Sequence, residues 1–189
     1  VYLELFFSSP PPLPAKYFDK GGYVLWCGSI SKSLSPSYRL GWCLPGRYID
    51  EYKAQLSSAS YGVALPTQLA VADFIESGQY AKHVRRRCAQ ILSLRQQYLS
   101  YLTQNLPDDV KISSPQGGMV LWLHIPNLNH ISSAQAVSEK KIDIRLGHLF
   151  STLDLYSNCL RINFGYALEG EAKQQLGDLI ELIRQCVSK

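Results

Sequence analysis

The chain has 189 residues, and its 46% hydrophobic and 18% charged content is that of an ordinary globular protein with one substantial domain or two small ones. A net charge of +4 permits an anionic ligand but is too small to indicate a nucleic-acid surface. Five scattered cysteines, none in a C-x-x-C pair, indicate neither a disulfide framework nor a metal site, and no apolar run is long enough for a membrane helix. Reduced thiols predict a cytoplasmic location.

The first quarter of the chain predicts three short strands. Residues 1–7 (VYLELFF) form a β-branched and aromatic run that stops at a proline cluster, and residues 21–29 (GGYVLWCGS) and 39–46 (RLGWCLPG) are similar runs. Together they predict a buried sheet whose strand ends carry the chemistry. Because the chain starts at a valine in what reads as the middle of a strand, we expect it to be cut from a longer protein.

Helices are predicted next. Residues 47–59 predict one helix, and another begins near Pro66 and breaks at residues 77–78. Residues 80–102 have apolar side chains at helical spacing and predict a long amphipathic helix. The arginine run at 85–87 within it could suggest nucleic-acid binding, but a solvated helix face is the favoured interpretation.

The second half predicts a compact αβ unit. The predicted elements are a strand in 117–126, a short helix in 132–141 that starts at an N-cap serine, strands in 142–146 and 159–165, and a terminal helix from Glu169. The terminal helix has one apolar stripe, formed by Leu176, Leu179, Ile180 and Ile183.

The segment WCGSISKSLSPSYRLGW, residues 26–42, has the residue types of a phosphate and aldehyde site. A lysine amine attacks a carbonyl only when deprotonated, which burial and nearby positive charge promote, and the end of an apolar strand predicts burial of Lys32. Arg39 has a planar charged fork suited to phosphate, and the hydroxyls of Ser29 and Ser31 are further donors. Pyridoxal 5′-phosphate (PLP) requires such a set. The alternative is a polar turn with an exposed lysine, and spacing alone favours that alternative.

A family resemblance favours the PLP site over the polar turn. The run GSISKSLSPSYRLGW resembles the S-x-S-K-x-x-x-P-x-x-R-x-G-[WF] signature of fold-type I aminotransferases of class I/II. The resemblance implies that Lys32 forms the Schiff base with PLP and that Arg39, Ser29 and Ser31 bind its phosphate. The opening VYLEL resembles the family's D-D-x-Y-x-x-L strand, which implies that Tyr2 hydrogen-bonds the phenolic oxygen of PLP.

Motifs further along extend the resemblance over nearly the whole chain. LPTQLA resembles the P-x-Q-x-A helix start, SPQGGMVLWLHIP the P-x-G-G-x-x-x-W strand, and CLRINFG the R-[IL]-x-[FY] motif. The last implies that Arg161 clamps the α-carboxylate of an amino acid through two parallel hydrogen bonds. A strand-edge charge is the alternative, which the apolar neighbours of Arg161 disfavour. Residues 145–150 depart from the family's A-P-G segment, which leaves the substrate open.

The chain is most similar, within this superfamily, to MocR-type regulators. QYAKHVRRRCAQILSLRQQYL is similar to their Y-x-x-H-x-R-R-x-R helix, and PLPAKYFDKGGYVLWCGSISKSL to the segment leading into their lysine. The resemblance implies a homodimeric parent with a GntR-like DNA-binding domain outside this chain. The expected fold is α/β, the C-terminal part of a PLP fold type I large domain (1–75), a linking helix (76–106) and a small αβ domain (107–189).

Three functions follow from this resemblance. The parent is either a regulator that senses an amino acid or amine through Schiff-base exchange at Lys32, a stand-alone PLP-dependent aminotransferase, or a scaffold that has lost the chemistry. The carboxylate that would pair with the pyridine nitrogen falls before Val1, and it stabilises the electron sink of PLP. We therefore expect this stretch alone to be inactive in transamination and to bind PLP weakly or not at all.

Overall fold

The computed structural model describes residues 4–7, 10–128, 130–153 and 155–187, and the chain divides into two compact units, residues 1–89 and 90–189. In the described part of the chain, no helix is both long and apolar enough to cross a bilayer. The predicted three-part domain organisation stays a prediction, because compactness alone does not assign a cofactor domain.

The first unit contains a two-stranded sheet, short 3-10 turns and helices. Its strands are β1 (Trp26–Ser29) and β2 (Gly41–Leu44), its α-helices are α1 (Ile49–Ala59), α2 (Leu65–Glu76) and the start of α3 (Gln79–Asn105), and its 3-10 helices are Ala15–Phe18, Pro36–Tyr38 and Gly46–Tyr48. The two predicted strands around the lysine loop and the three helices are therefore confirmed. The predicted first strand lies partly outside the described residues, and residues 4–7 form a turn and an isolated bridge instead.

The sheet of the first unit is an exposed antiparallel hairpin, so the prediction of a buried sheet is wrong. β1 and β2 pair from Trp26 with Leu44 to Ser29 with Gly41. Leu44 remains 50% exposed, because α1 has no buried residue and α2 buries only Val71, so these helices contribute little apolar surface to cover the strands. Across the hairpin Cys27 Sγ lies 3.5 Å from Cys43 Sγ, and the thiols are free.

The segment before β1 is organised by one carboxylate. Asp19 accepts hydrogen bonds from the backbone N–H groups of Gly21, Tyr23 and Val24 at 3.0–3.2 Å, and its side chain is only 3% exposed. Lys16 Nζ donates to the same carboxylate at 2.8 Å. This lysine bond, followed by the bond from Val24, lowers the pKa of Asp19 well below its ordinary value of 3.8.

Acid should therefore loosen the segment before β1. A depressed folded-state pKa contributes stability that is complete above the unfolded-state pKa of 3.8 and is lost as the pH falls below it. We expect the Asp19→Asn variant to be less stable than wild type at about pH 6 and the difference to shrink toward about pH 3, as measured by chemical denaturation. Asp109→Asn is the matched control, because this exposed carboxylate accepts no hydrogen bond from the described residues. An equal pH dependence of both variants would contradict the prediction.

The second unit is a four-stranded antiparallel sheet with helices. Its strands are β3 (Lys111–Ile112), β4 (Val120–His124), β5 (Arg145–Leu146) and β6 (Cys159–Asn163). The order in the sheet is β3-β4-β6-β5. The other elements are the rest of α3, α4 (His130–Glu139), the 3-10 helix Gly147–Phe150 and α5 (Gly170–Val187). The predicted αβ unit is confirmed. The two-residue β3 was not predicted, because it is too short to show alternation.

The core of the second unit comes from alternate strand residues and two helix stripes. Leu121, Leu123, Leu160 and Ile162 are at most 4% exposed, and their neighbours in the strands are less buried except for Cys159, which is also 4% exposed. The buried helix residues are Ile91, Tyr98 and Leu102 of α3 and Leu176, Leu179, Ile180 and Ile183 of α5. The predicted apolar stripe of α5 is thus confirmed, and the stripe of α3 is buried over its second half.

Two predicted boundaries in the second unit are wrong. Helix α4 begins at His130, so its serines lie inside the helix and not at the N-cap, because a tight turn with Asn127 at φ 61° lies immediately upstream. The predicted strand in 142–146 shrinks to two residues. Ile144 N donates to Ile142 O at 3.1 Å, and this tight turn prevents an extended backbone there.

Candidate functional site

The hairpin brings Lys32 and Arg39 to one end of the sheet in the first unit. β1 ends at Ser29 and β2 begins at Gly41, and these two residues are paired. One further hydrogen bond, from Ile30 N to Leu40 O at 3.2 Å, continues the ladder into the loop. Lys32 and Arg39 therefore lie in one closed connection.

Local hydrogen bonds shape this loop. The N–H groups of Leu34 and Ser35 both donate to Ile30 O, at 2.8 and 3.2 Å, which turns the chain directly around Lys32. Ser35 then caps the 3-10 helix Pro36–Tyr38 by accepting a bond from Ser37 N at 3.2 Å. Arg39 ends that helix in the left-handed region, at φ 49° and ψ 27°. The proline and serines of the motif thus have a folding role.

The two cations of the loop are available for an anion. Lys32 and Arg39 are exposed, and neither side chain forms an ion pair or hydrogen bond with the described residues. Ser31 N donates to Ser29 Oγ at 3.1 Å, and that hydroxyl donates to Leu40 O at 3.4 Å. The Ser29 hydroxyl is therefore used inside the loop, whereas the half-buried Ser31 hydroxyl has no partner among the described residues.

This donor set suits a phosphorylated aldehyde in part. A primary amine, a guanidinium and a hydroxyl without internal partners are the groups that an aldehyde and a phosphate require. The predicted burial of Lys32 is wrong for this chain, because its side chain is exposed at the end of an uncovered hairpin. Arg39 adds a second positive charge to the same loop.

Three residues that the sequence did not single out hold the lysine loop. Ser33 is a polar residue that is only 3% exposed. Its Oγ lies 2.6 Å from Tyr80 Oη, and its carbonyl oxygen lies 2.8 Å from His83 Nε2. Tyr80 and His83 are the first two fixed positions of the Y-x-x-H-x-R-R helix motif. This motif was the sequence signal that could have identified them.

In the second unit, Arg161 lies on the less buried face of the sheet. β6 pairs it with Trp122 on one side and Arg145 on the other. Its guanidinium carbon lies 4.9 Å from the centre of the Phe150 ring, and Trp122 packs edge-on against the same ring at 5.4 Å. Arg145 has its charge partnered by Asp143 at 2.8 Å, whereas Arg161 has no ion pair with the described residues.

The predicted site residues therefore fall into separate groups. Ser29, Ser31, Lys32 and Arg39 are brought together in the first unit, and Arg161 lies in the second. Tyr2 lies outside the described residues. The sequence-based site assignments stay predictions.

Comparison with known proteins identifies the family. The model of the family "Aminotransferase class I and II" matches residues 1–173. The uncharacterized HTH-type transcriptional regulators YjiR and YdcR of Escherichia coli K12 are each 34% identical over 95% and 96% of the chain. The chain spans only 39–40% of the length of these relatives.

A solved structure agrees in fold. The multiple substrate aminotransferase of Thermococcus profundus superposes with a TM-score of 0.87 at 26% identity, over 99% of this chain and 47% of that one. The predicted resemblance to HTH-type regulators and the predicted α/β fold of PLP-dependent aminotransferases, fold type I, are both confirmed. The chain belongs to the aminotransferase class I and II family.

Proposed function

We propose that this chain is part of a PLP-binding, aminotransferase-like domain of a GntR/MocR-type transcriptional regulator, which senses an amino acid or amine through Schiff-base exchange at Lys32. One observation carries the proposal. The register of β1 and β2 puts Lys32 and Arg39 in the same loop, and neither side chain has a partner among the described residues. Phosphate is an anion that both side chains can bind.

Each residue of the loop has a definite task in this proposal. Arg39 and the Ser31 hydroxyl bind the cofactor phosphate, and the Ser29 hydroxyl keeps the two loop ends together through Ser31 N and Leu40 O. Lys32 supplies the amine that holds the cofactor aldehyde. PLP itself supplies the reactive aldehyde and an electron sink.

Arg161 recognises the carboxylate of the amino acid. Its guanidinium stacks on Phe150 and is half-buried, so its plane is held, and its N–H groups have no acceptor in the part of the chain that the structure describes. A planar fork of this kind binds a carboxylate through two parallel hydrogen bonds. A ligand that binds two conformations of the protein with different affinity shifts their balance, which is the physical requirement for sensing.

The remaining parts of the proposal concern the parent protein. DNA binding belongs to a domain outside this chain, the parent is a cytoplasmic homodimer, and PLP binding requires the whole aminotransferase-like domain. The 34% identity to HTH-type regulators supports this assignment. The alternative is a stand-alone PLP-dependent amino acid aminotransferase, which is supported by the likeness to the multiple substrate aminotransferase.

One experiment separates these functions. The full-length protein is purified, incubated with PLP and desalted, and amino acids are then added with and without a keto-acid acceptor. A regulator should retain the cofactor absorbance, change it on amino acid binding and change its DNA affinity, without multiple turnovers. Repeated turnover without DNA binding would establish the aminotransferase. Failure to retain PLP after desalting would contradict both functions.

A further inference from the structure

The residue that follows Lys32 is held by two side chains of one helix. Ser33 is buried although it is polar, and its hydroxyl and its carbonyl oxygen both have partners on α3. Burial of a hydroxyl and a carbonyl is unfavourable unless both are hydrogen-bonded. The segment around Lys32 is therefore positioned by α3 as well as by the hairpin.

Hydrogen-bond chemistry fixes the donors in this cluster. A carbonyl oxygen only accepts, so His83 Nε2 carries a proton and donates to Ser33 O. Tyr80 Oη donates to the carboxylate of Glu4, so its single proton is used there and Ser33 Oγ donates to Tyr80. Burial, followed by the bond to Glu4, raises the pKa of Tyr80 to about 12, which keeps the phenol protonated as a donor at neutral pH.

The geometry of α3 explains why both partners reach the same residue. Positions three apart on a helix lie on one face, one turn above the other. Phe74 of α2 packs edge-on against both rings, at 6.3 Å from Tyr80 and 6.4 Å from His83. The packing of Phe74 thus holds the orientation of the Tyr80 and His83 rings, as a pair of positioning side chains requires.

We propose that Tyr80 and His83 are positioning residues for Lys32, because they bind the hydroxyl and the carbonyl oxygen of Ser33 and so fix the backbone from which the lysine amine projects. The role of the amine itself rests on the function proposed above. The anchoring of the backbone rests only on the contacts of Ser33. This gives the tyrosine and histidine of the Y-x-x-H motif a physical task away from any ligand.

The test uses the full-length protein and two readouts. Amide hydrogen exchange follows Leu34 and Ser35, whose N–H groups close the turn, and reductive trapping with PLP and borohydride measures labelling of Lys32 by mass spectrometry. We expect His83→Leu to accelerate exchange at these two amides and to slow labelling, each by on the order of tenfold. Tyr80→Phe should also accelerate exchange and slow labelling, but by a smaller factor than His83→Leu, because only the Ser33 hydroxyl loses its partner.

Rescue and control variants distinguish positioning from general stability. His83→Gln should restore both readouts, because its side-chain amide can donate to the same carbonyl. Tyr101→Phe, on the same helix, should change neither, because its hydroxyl has no hydrogen bond with the described residues. Unchanged exchange at Leu34 and Ser35 in His83→Leu overturns the anchoring, and faster exchange with unchanged labelling overturns the effect on the amine. Absence of labelling in wild type would instead overturn the proposed function, while exchange still decides the anchoring.

Discussion

Replacing Lys32 by alanine should abolish covalent incorporation of PLP into the full-length protein. Only an amine can condense with the cofactor aldehyde and be fixed by borohydride. Lys32 is the one lysine of the loop that also contains Arg39. The measurement is the cofactor mass on the tryptic peptide that contains residue 32. We expect complete loss of this label and, in a regulator, loss of the response of DNA binding to the amino acid.

Two controls make the Lys32 result specific. Lys32→Arg keeps the positive charge but has no condensing amine, so it should also lose the label while still binding the phosphate. Lys20→Ala removes another exposed lysine of the first unit and should leave the label unchanged. Labelling that persists in Lys32→Ala, or wild-type labelling that is found on a different lysine, would show that the amine at position 32 has no cofactor role.

Replacing Arg161 by alanine should weaken binding of an amino acid by roughly 30-fold, or about 2 kcal/mol, because one charged partner of a hydrogen-bonded pair is lost. Binding of the corresponding decarboxylated amine should not change, because that ligand has no carboxylate to bind. Calorimetric titration of both ligands into the PLP-loaded full-length protein gives the two dissociation constants. The loss of discrimination between the two ligands is the decisive quantity.

Arg145 offers a matched control for Arg161. It lies directly opposite on the neighbouring strand, but its charge is partnered by Asp143. Arg145→Ala should therefore change amino acid binding much less than Arg161→Ala. Arg161→Lys should fall between wild type and alanine, because an ammonium keeps the charge without the bidentate fork. Equal effects of Arg145→Ala and Arg161→Ala would mean that both arginines act only through general charge.

The sequence predicts those features of the fold that depend on neighbouring residues. The apolar stripe of α5, the alternation in β4 and the two strands around Lys32 are each set within one segment, and each was found where it was predicted. The burial of Lys32 was predicted wrongly, because it depends on which layers cover the hairpin and not on the apolar run before it.

In the candidate site, too, local features could be predicted and long-range contacts could not. Lys32, Arg39 and Ser31 were singled out by the family motif, which lies within a single loop, whereas spacing alone favoured a polar turn. The anchoring of Ser33 could not be predicted, because its partners lie 47 and 50 residues away and become neighbours only when α3 docks on the loop. The Y-x-x-H pattern marked the helix without indicating what the two side chains bind.

The backbone of Arg39 has a consequence for how this loop can change. A side chain with a Cβ in the left-handed region costs about 1 kcal/mol, which glycine would relieve. A glycine at this position would make the turn easier to form and would remove the cation that we propose binds the cofactor phosphate. Under the proposed function, folding and ligand affinity therefore favour opposite residues at position 39.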